Sequence, residues 1–174
     1  DQNGLIWGYH FKPGHAALLL DSAQALKFIQ TPEHERRGEF LWLHFSLSHS
    51  AAMPWLKKNC ALTEEYYETI QEAAGSTRVE QNDDTLIAVI NDVQFDFTLD
   101  SSSIASTSIS VDKYLFISAR LKPLRSIDQL RKAVRSDAKF RSTTELLAHL
   151  LQDQAEVLVE ILRVSTQRVD RIEY

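Results

Sequence analysis

Three side chains with metal-ligating chemistry, His44, His49 and Cys60, fall within a span of 17 residues. Imidazole nitrogen and thiolate sulfur are donors that zinc favours, and a zinc site needs three or four of them to converge. Their spacing matches no standard zinc motif, so each also has an ordinary reading: His44 as a core histidine hydrogen-bonded to a neighbour, His49 as a loop residue ahead of a helix. Ser46, Ser48 and His49 put hydroxyls beside an imidazole. A nucleophile and its base must meet in space, however, which adjacent positions seldom allow. Asp83, Asp84, Asp92, Asp96 and Asp100 offer the oxygen donors that suit Mg2+. The same residues also serve as turn formers and solvated strand ends. Glycine-rich phosphate loops, Gly-x-Ser-x-Gly and His-Glu-x-x-His are all missing, and five glycines leave little material for a phosphate cradle. No enzyme is expected, and no catalytic residue is assigned.

The elements that must carry these residues follow from patterning. Ile6, Trp7, Tyr9 and Phe11 favour a strand over 4–11, Lys12-Pro13-Gly14 a turn, and 15–20 a second short strand. Asp21 and Gln24 have capping-box spacing, which predicts a helix over 22–29, stopped by Thr31-Pro32. Phe40 to Phe45 is apolar on both alternating faces, as a central strand covered on both sides would be. Leu56, Leu62, Tyr66 and Ile70 predict two short helices across 50–72. Four β-prone runs follow at 77–81, 85–92, 106–111 and 114–119, with a two-residue turn at Asp112-Lys113 and a polar loop at Asp100-Ser101-Ser102-Ser103. Ser126 with Gln129, and Ser142 with Glu145, again have capping-box spacing. The first opens a helix to about Asp137 with Ile127, Leu130 and Val134 on one side. The second opens a helix whose apolar residues, from Leu146 and Leu147 to Val169 and Ile172, recur every three or four positions. At 1.5 Å per residue that helix would span roughly 50 Å. It has no closing Gly, Asn or Pro and the chain has no initiator Met, so the natural protein is expected to continue past Tyr174.

With 174 residues the chain suits one compact domain. Its net charge of −5 argues against nucleic acid as the main partner. A single cysteine fits a reducing compartment. The longest apolar run, Ala16 to Leu20, is far short of the about 20 residues needed to cross a bilayer, and no signal peptide is visible. The charge is uneven: residues 120–141 carry +6 and the remainder −11. The basic segment reads either as a solvated face or as a surface that meets the acidic body of a neighbouring subunit.

Two stretches resemble a known family. Phe40-Leu41-Trp42-Leu43-His44-Phe45, then Pro54-Trp55-Leu56, is similar to the Trp-x-His-Leu strand and Trp-Leu helix of the ZntB branch of CorA-type divalent-cation transporters. Tyr114-Leu115-Phe116-Ile117-Ser118-Ala119-Arg120, then Pro123-Leu124-Arg125-Ser126-Ile127-Asp128-Gln129-Leu130-Arg131, resembles that family's hairpin strand and following helix start. The resemblance implies an α/β (α+β) fold: an α/β/α sandwich around a mixed sheet over 1–141, then the start of a long helical region over 142–174. It further implies the cytoplasmic domain of a homopentameric transporter at the bacterial inner membrane, with divalent cations as partners and the membrane reached only through segments beyond this chain. The family's Gly-Met-Asn triplet has no counterpart here, the only methionine being Met53. The expected function is a regulatory domain of a zinc-type transporter that conducts nothing itself, needs no cofactor and binds Zn2+ or Mg2+ weakly. The alternative is a stand-alone cytosolic binding or dimerisation module.

Overall fold

The computed structural model describes residues 1–72, 76–93 and 104–172. Its strands are β1 (Leu5–Phe11), β2 (Leu18–Leu20), β3 (Phe40–Ser46), β4 (Arg78–Asn82), β5 (Thr85–Val93), β6 (Ile104–Val111) and β7 (Leu115–Arg120). They form one sheet in the order β2-β1-β3-β7-β6-β5-β4. β3 and β7 run parallel, while the other neighbours are antiparallel. The helices are α1 (Ser22–Gln30), α2 (Ala52–Asn59), α3 (Glu64–Gln71), α4 (Arg125–Arg135) and α5 (Thr143–Ile172).

Strand alternation sorts the core into two layers. Phe40 and Trp42 of β3 join Trp7, Tyr9, Phe116, Ile127, Leu130, Leu146 and Leu150 on the face covered by α4 and α5. Leu41, Leu43 and Phe45 join Ala25, Phe28, Trp55, Leu56 and Tyr66 on the face covered by α1, α2 and α3. The sandwich that the family resemblance implies is the one observed. β3 is buried on both faces as its composition requires, although β7 occupies the middle of the sheet. Gly8 of β1 lets the edge close: a Cβ there would lie 2.5 Å from Leu20 Cδ1 and 3.2 Å from Leu43 Cδ2.

Local signals were met unevenly. At α1 the capping box is complete, with Asp21 Oδ1 accepting from Gln24 N at 2.8 Å and Gln24 Oε1 from Asp21 N at 2.9 Å. At α4 it is absent. Leu124 holds the N-cap position and Ser126 lies inside the first turn, where its N–H donates to Asp92 Oδ2 at 2.7 Å. A buried carboxylate from β5 thus replaces the local cap, because packing carries α4 onto the sheet two residues earlier than the serine suggests. At α5 half the box forms: Ser142 Oγ accepts from Glu145 N, while Glu145 Oε2 takes the Arg141 N–H instead. The β6–β7 turn is shifted by one residue, with Lys113 and Tyr114 at its centre. Asp112 Oδ1 accepts from the N–H groups of Tyr114 and Leu115 at 2.7 and 2.8 Å, which removes the need for glycine. α4 ends with Asp137 at φ +63 and Ala138 N donating to Ala133 O, a closure for which Asp is tolerated.

Candidate functional site

His44 stands on β3 beside Ser118 of β7, completely buried. Its Nδ1 lies 2.7 Å from Ser118 Oγ, and Arg120 Nε donates to its Nε2 at 3.1 Å. Arginine has no acceptor, so Nε2 carries the lone pair and Nδ1 the proton. Ser118 Oγ also accepts from Trp42 Nε1 at 2.9 Å. The ring stacks on Trp7 at 4.2 Å between centroids, and Arg131 covers the indole from 4.2 Å while its Nε donates to Tyr9 OH at 3.3 Å. Burial first, then the positive charges of Arg120 and Arg131, hold the imidazole well below its ordinary pKa. It is therefore a neutral ring with both nitrogens engaged. A metal could take Nε2 only by displacing Arg120.

The other two soft donors lie elsewhere. His49 is exposed after β3, its Nδ1 accepting from Ala51 N at 3.2 Å. Cys60, at the end of α2, belongs to the opposite core layer, and burial followed by the nearby Asp112 charge pushes its thiol up to about 12. The sheet separates it from His44. Among the described residues no three His, Cys, Asp or Glu side chains converge on one point. Among the described residues the Ser46 and Ser48 hydroxyls make no bond to the His49 ring: Ser46 O accepts from His49 N, and Ser48 Oγ donates to Leu121 O. Asp83 and Asp84 form the β4–β5 turn, with Asp83 at φ +49. Asp96, Asp100 and the 100–103 loop lie outside the described residues.

Several participants in the His44 network carried no chemical signal in the sequence. Arg120 and Arg131 counted only as basic residues and Trp7 only as a strand former. Ser118 was readable in one respect, because Trp42 and His44 share a face and both need a buried partner from an adjacent strand. Histidine–carboxylate pairs stand elsewhere: His10 Nε2 with Glu39 Oε2 at 2.7 Å, His149 Nδ1 with Asp153 Oδ2 at 3.1 Å, and the exposed His34 Nε2 with Glu35 Oε1 at 3.6 Å. In the open groove of about 700 Å3 beside the β6–β7 turn, several polar side chains are engaged with one another. Glu33 meets Tyr114 OH and Lys113, Asp112 holds the turn, and Thr143 Oγ1 donates to Asp112 O.

On α5 the side chains up to Val157 alternate between buried and exposed, whereas Leu158, Val159 and Leu162 are all exposed. Val169 and Ile172 lie outside the described side chains. No helix among the described residues is long and apolar enough to cross a membrane.

Comparison with known proteins places this architecture. The divalent cation transporter CmaX of Pseudomonas aeruginosa is 24% identical over 163 residues, covering 91% of this chain and 48% of that protein. The solved full-length CmaX structure superposes with a TM-score of 0.84 at 21% identity, over 99% of this chain and 52% of that one. The ZntB cytoplasmic domain of Vibrio parahaemolyticus gives 0.75 at 14% identity, over 97% of this chain and 65% of that one. The soluble domain of CorA from Methanocaldococcus jannaschii gives 0.66 at 15% identity, over 95% and 62%. The chain thus spans about half the length of CmaX, and the ZntB branch is not singled out over CmaX or CorA. The family described as CorA-like Mg2+ transporter protein matches residues 37–174, and the chain belongs to it.

Proposed function

We propose that this chain is the cytoplasmic part of a membrane transporter for divalent metal cations and that it regulates conduction without conducting ions itself. The observation that carries this reading is the superposition of 99% of the chain on about half of full-length CmaX. The neutral His44 network and the inert Cys60 support a structural or regulatory role over a catalytic one. Zinc as the cargo, a homopentameric assembly and weak Zn2+ or Mg2+ binding by this domain belong to the same proposal.

The test begins with the gene. Two apolar segments of about 20 residues encoded after Tyr174 support the reading, and an in-frame stop directly after that codon overturns it. The longer product, reconstituted in liposomes, should then admit Zn2+ or Mg2+ to a trapped indicator dye. Uptake of Zn2+ without Mg2+ supports the zinc assignment, and the reverse removes it. Calorimetric titration of the present chain with both ions addresses sensing separately: a flat trace removes metal sensing by this domain and leaves the transporter reading standing.

A second reading, a stand-alone dimerisation module, is favoured by the exposed Leu158, Val159 and Leu162 on α5. Tight dimers in sedimentation, lost in Leu158→Glu, together with the in-frame stop, would select it.

A further inference from the structure

Of the eight basic residues of 120–141, Lys122, Arg135 and Lys139 stand exposed in solvent. Arg125, Lys132 and Arg141 face Glu160, Asp128 and Glu145. Elsewhere, Arg78 faces Glu72 and Glu80, and Arg36 donates to the carbonyls of Ile29 and Thr31. Arg120 is different. It is half-buried on the α4 side of the sheet, and its one hydrogen bond goes to the neutral His44 ring. No carboxylate of the described residues lies within ion-pair distance of it, and its terminal Nη groups have no acceptor there. Arg131, on the far side of Trp7, meets the indole face and the Tyr9 hydroxyl and no carboxylate among the described residues.

A half-buried guanidinium without a counter-charge is costly, and the usual remedy is an anion held by its planar fork. One hydroxyl lies beside it. Thr107 sits directly across from Arg120 in the β6–β7 ladder, fully buried, and its Oγ1 has no partner. Of the buried carboxylates on this side, Asp92 of β5, two strands from β7, is engaged by the Ser126 N–H, and Asp153 of α5 is paired with His149. Water would satisfy the hydroxyl but not the charge.

We propose that the Arg120 guanidinium, with the Thr107 hydroxyl beside it, is the seat of a small oxyanion of phosphate or carboxylate type. This site is independent of the transport reading and of any metal.

Isothermal titration and thermal melting of the 174-residue chain test the proposal, using sodium phosphate and sodium acetate in zwitterionic buffer, with ionic strength held constant by chloride. Phosphate or acetate should bind and raise the melting temperature. The anion that does so identifies the ligand as phosphate-like or carboxylate-like. Arg120→Gln should weaken binding about tenfold or more and Thr107→Val should weaken it less, while Lys139→Gln, at an exposed basic position, should bind as the parent does. If Arg120→Gln does not fold, Arg120→Lys, which keeps the charge but loses the fork, takes its place and should also bind more weakly. Absence of a response to both anions overturns the proposal. So does binding by Arg120→Gln and Thr107→Val that equals the parent's.

Discussion

His44 shows how a residue with ligand chemistry becomes a structural one. Its Nε2 accepts from Arg120, its Nδ1 donates to Ser118, and its face packs on Trp7. Because the folded protein keeps this ring neutral, its pKa lies below the unfolded value of about 6.5. The unfolded chain therefore binds the extra proton first as the pH falls. The contribution of His44 is complete above about 6.5 and is progressively lost below it. Melting temperature should accordingly fall between pH 7 and pH 5. In His44→Gln it should be lower at pH 7 but should change less across that interval, which circular dichroism melts would read. A variant with an unchanged pH slope would remove the neutral-ring assignment. Cys60 makes a complementary case: a buried thiol raised to about 12 has almost no thiolate at neutral pH. It should resist iodoacetamide in the native protein and react readily in urea, as mass spectrometry would record. Rapid native labelling would contradict its burial.

At the scale of elements, α4 separates a local signal from a tertiary one. Ser126→Ala would cost about 0.5–2 kcal/mol if the serine were an N-cap. Since its hydroxyl has no partner and the cap is Asp92, the change should be nearly neutral, whereas Asp92→Ala should cost about 1–3 kcal/mol by orphaning a buried N–H. Urea denaturation of the two variants decides, and the reverse order would restore the local cap. The basic face of α4 also changes meaning once folded. Arg131 is bound to Trp7 and Tyr9, so reversing its charge would damage the fold itself. Lys132, Arg135 and Lys139 are exposed and are the residues with which to probe contact with an acidic neighbour. Their reversal to Glu should leave the melting temperature of this chain nearly unchanged and weaken assembly of the longer protein at low salt, followed by sedimentation across ionic strength. Assembly indifferent to both salt and these substitutions would assign the segment to plain solvated surface.

At the scale of the molecule, α5 is the element whose two halves differ. Its first turns seal the sheet through Leu146, Leu147 and Leu150, while Leu158, Val159 and Leu162 remain uncovered. That apolar stripe is at helix-pairing spacing, and a second helix is what such a stripe accommodates. The domain resembles CmaX along its whole length at low identity, as expected when a core pattern is retained and surfaces drift. Trp42, buried at the centre of that pattern between Tyr9, Phe116 and His44, should cost about 3–5 kcal/mol when replaced by Ala, measurable by denaturant titration.

What the sequence determined by itself was periodic or local. The two-faced apolar run of Phe40 to Phe45, the Asp21–Gln24 capping box, the amphipathic spacing of Ile127, Leu130 and Val134, and the family resemblance all rest on neighbours within a few positions. Such patterns specify element type and buried face because burial follows helix and strand periods. Tertiary structure alone decided the rest. It placed β7 and not β3 in the middle of the sheet, and it supplied the α4 cap from a carboxylate 34 positions away in the chain. It also separated His44 from Cys60 by a sheet and set Arg120 against His44 and Thr107. These relations join residues far apart in sequence, and a hydrogen bond or a counter-charge depends on distance in space, which one-dimensional spacing does not contain.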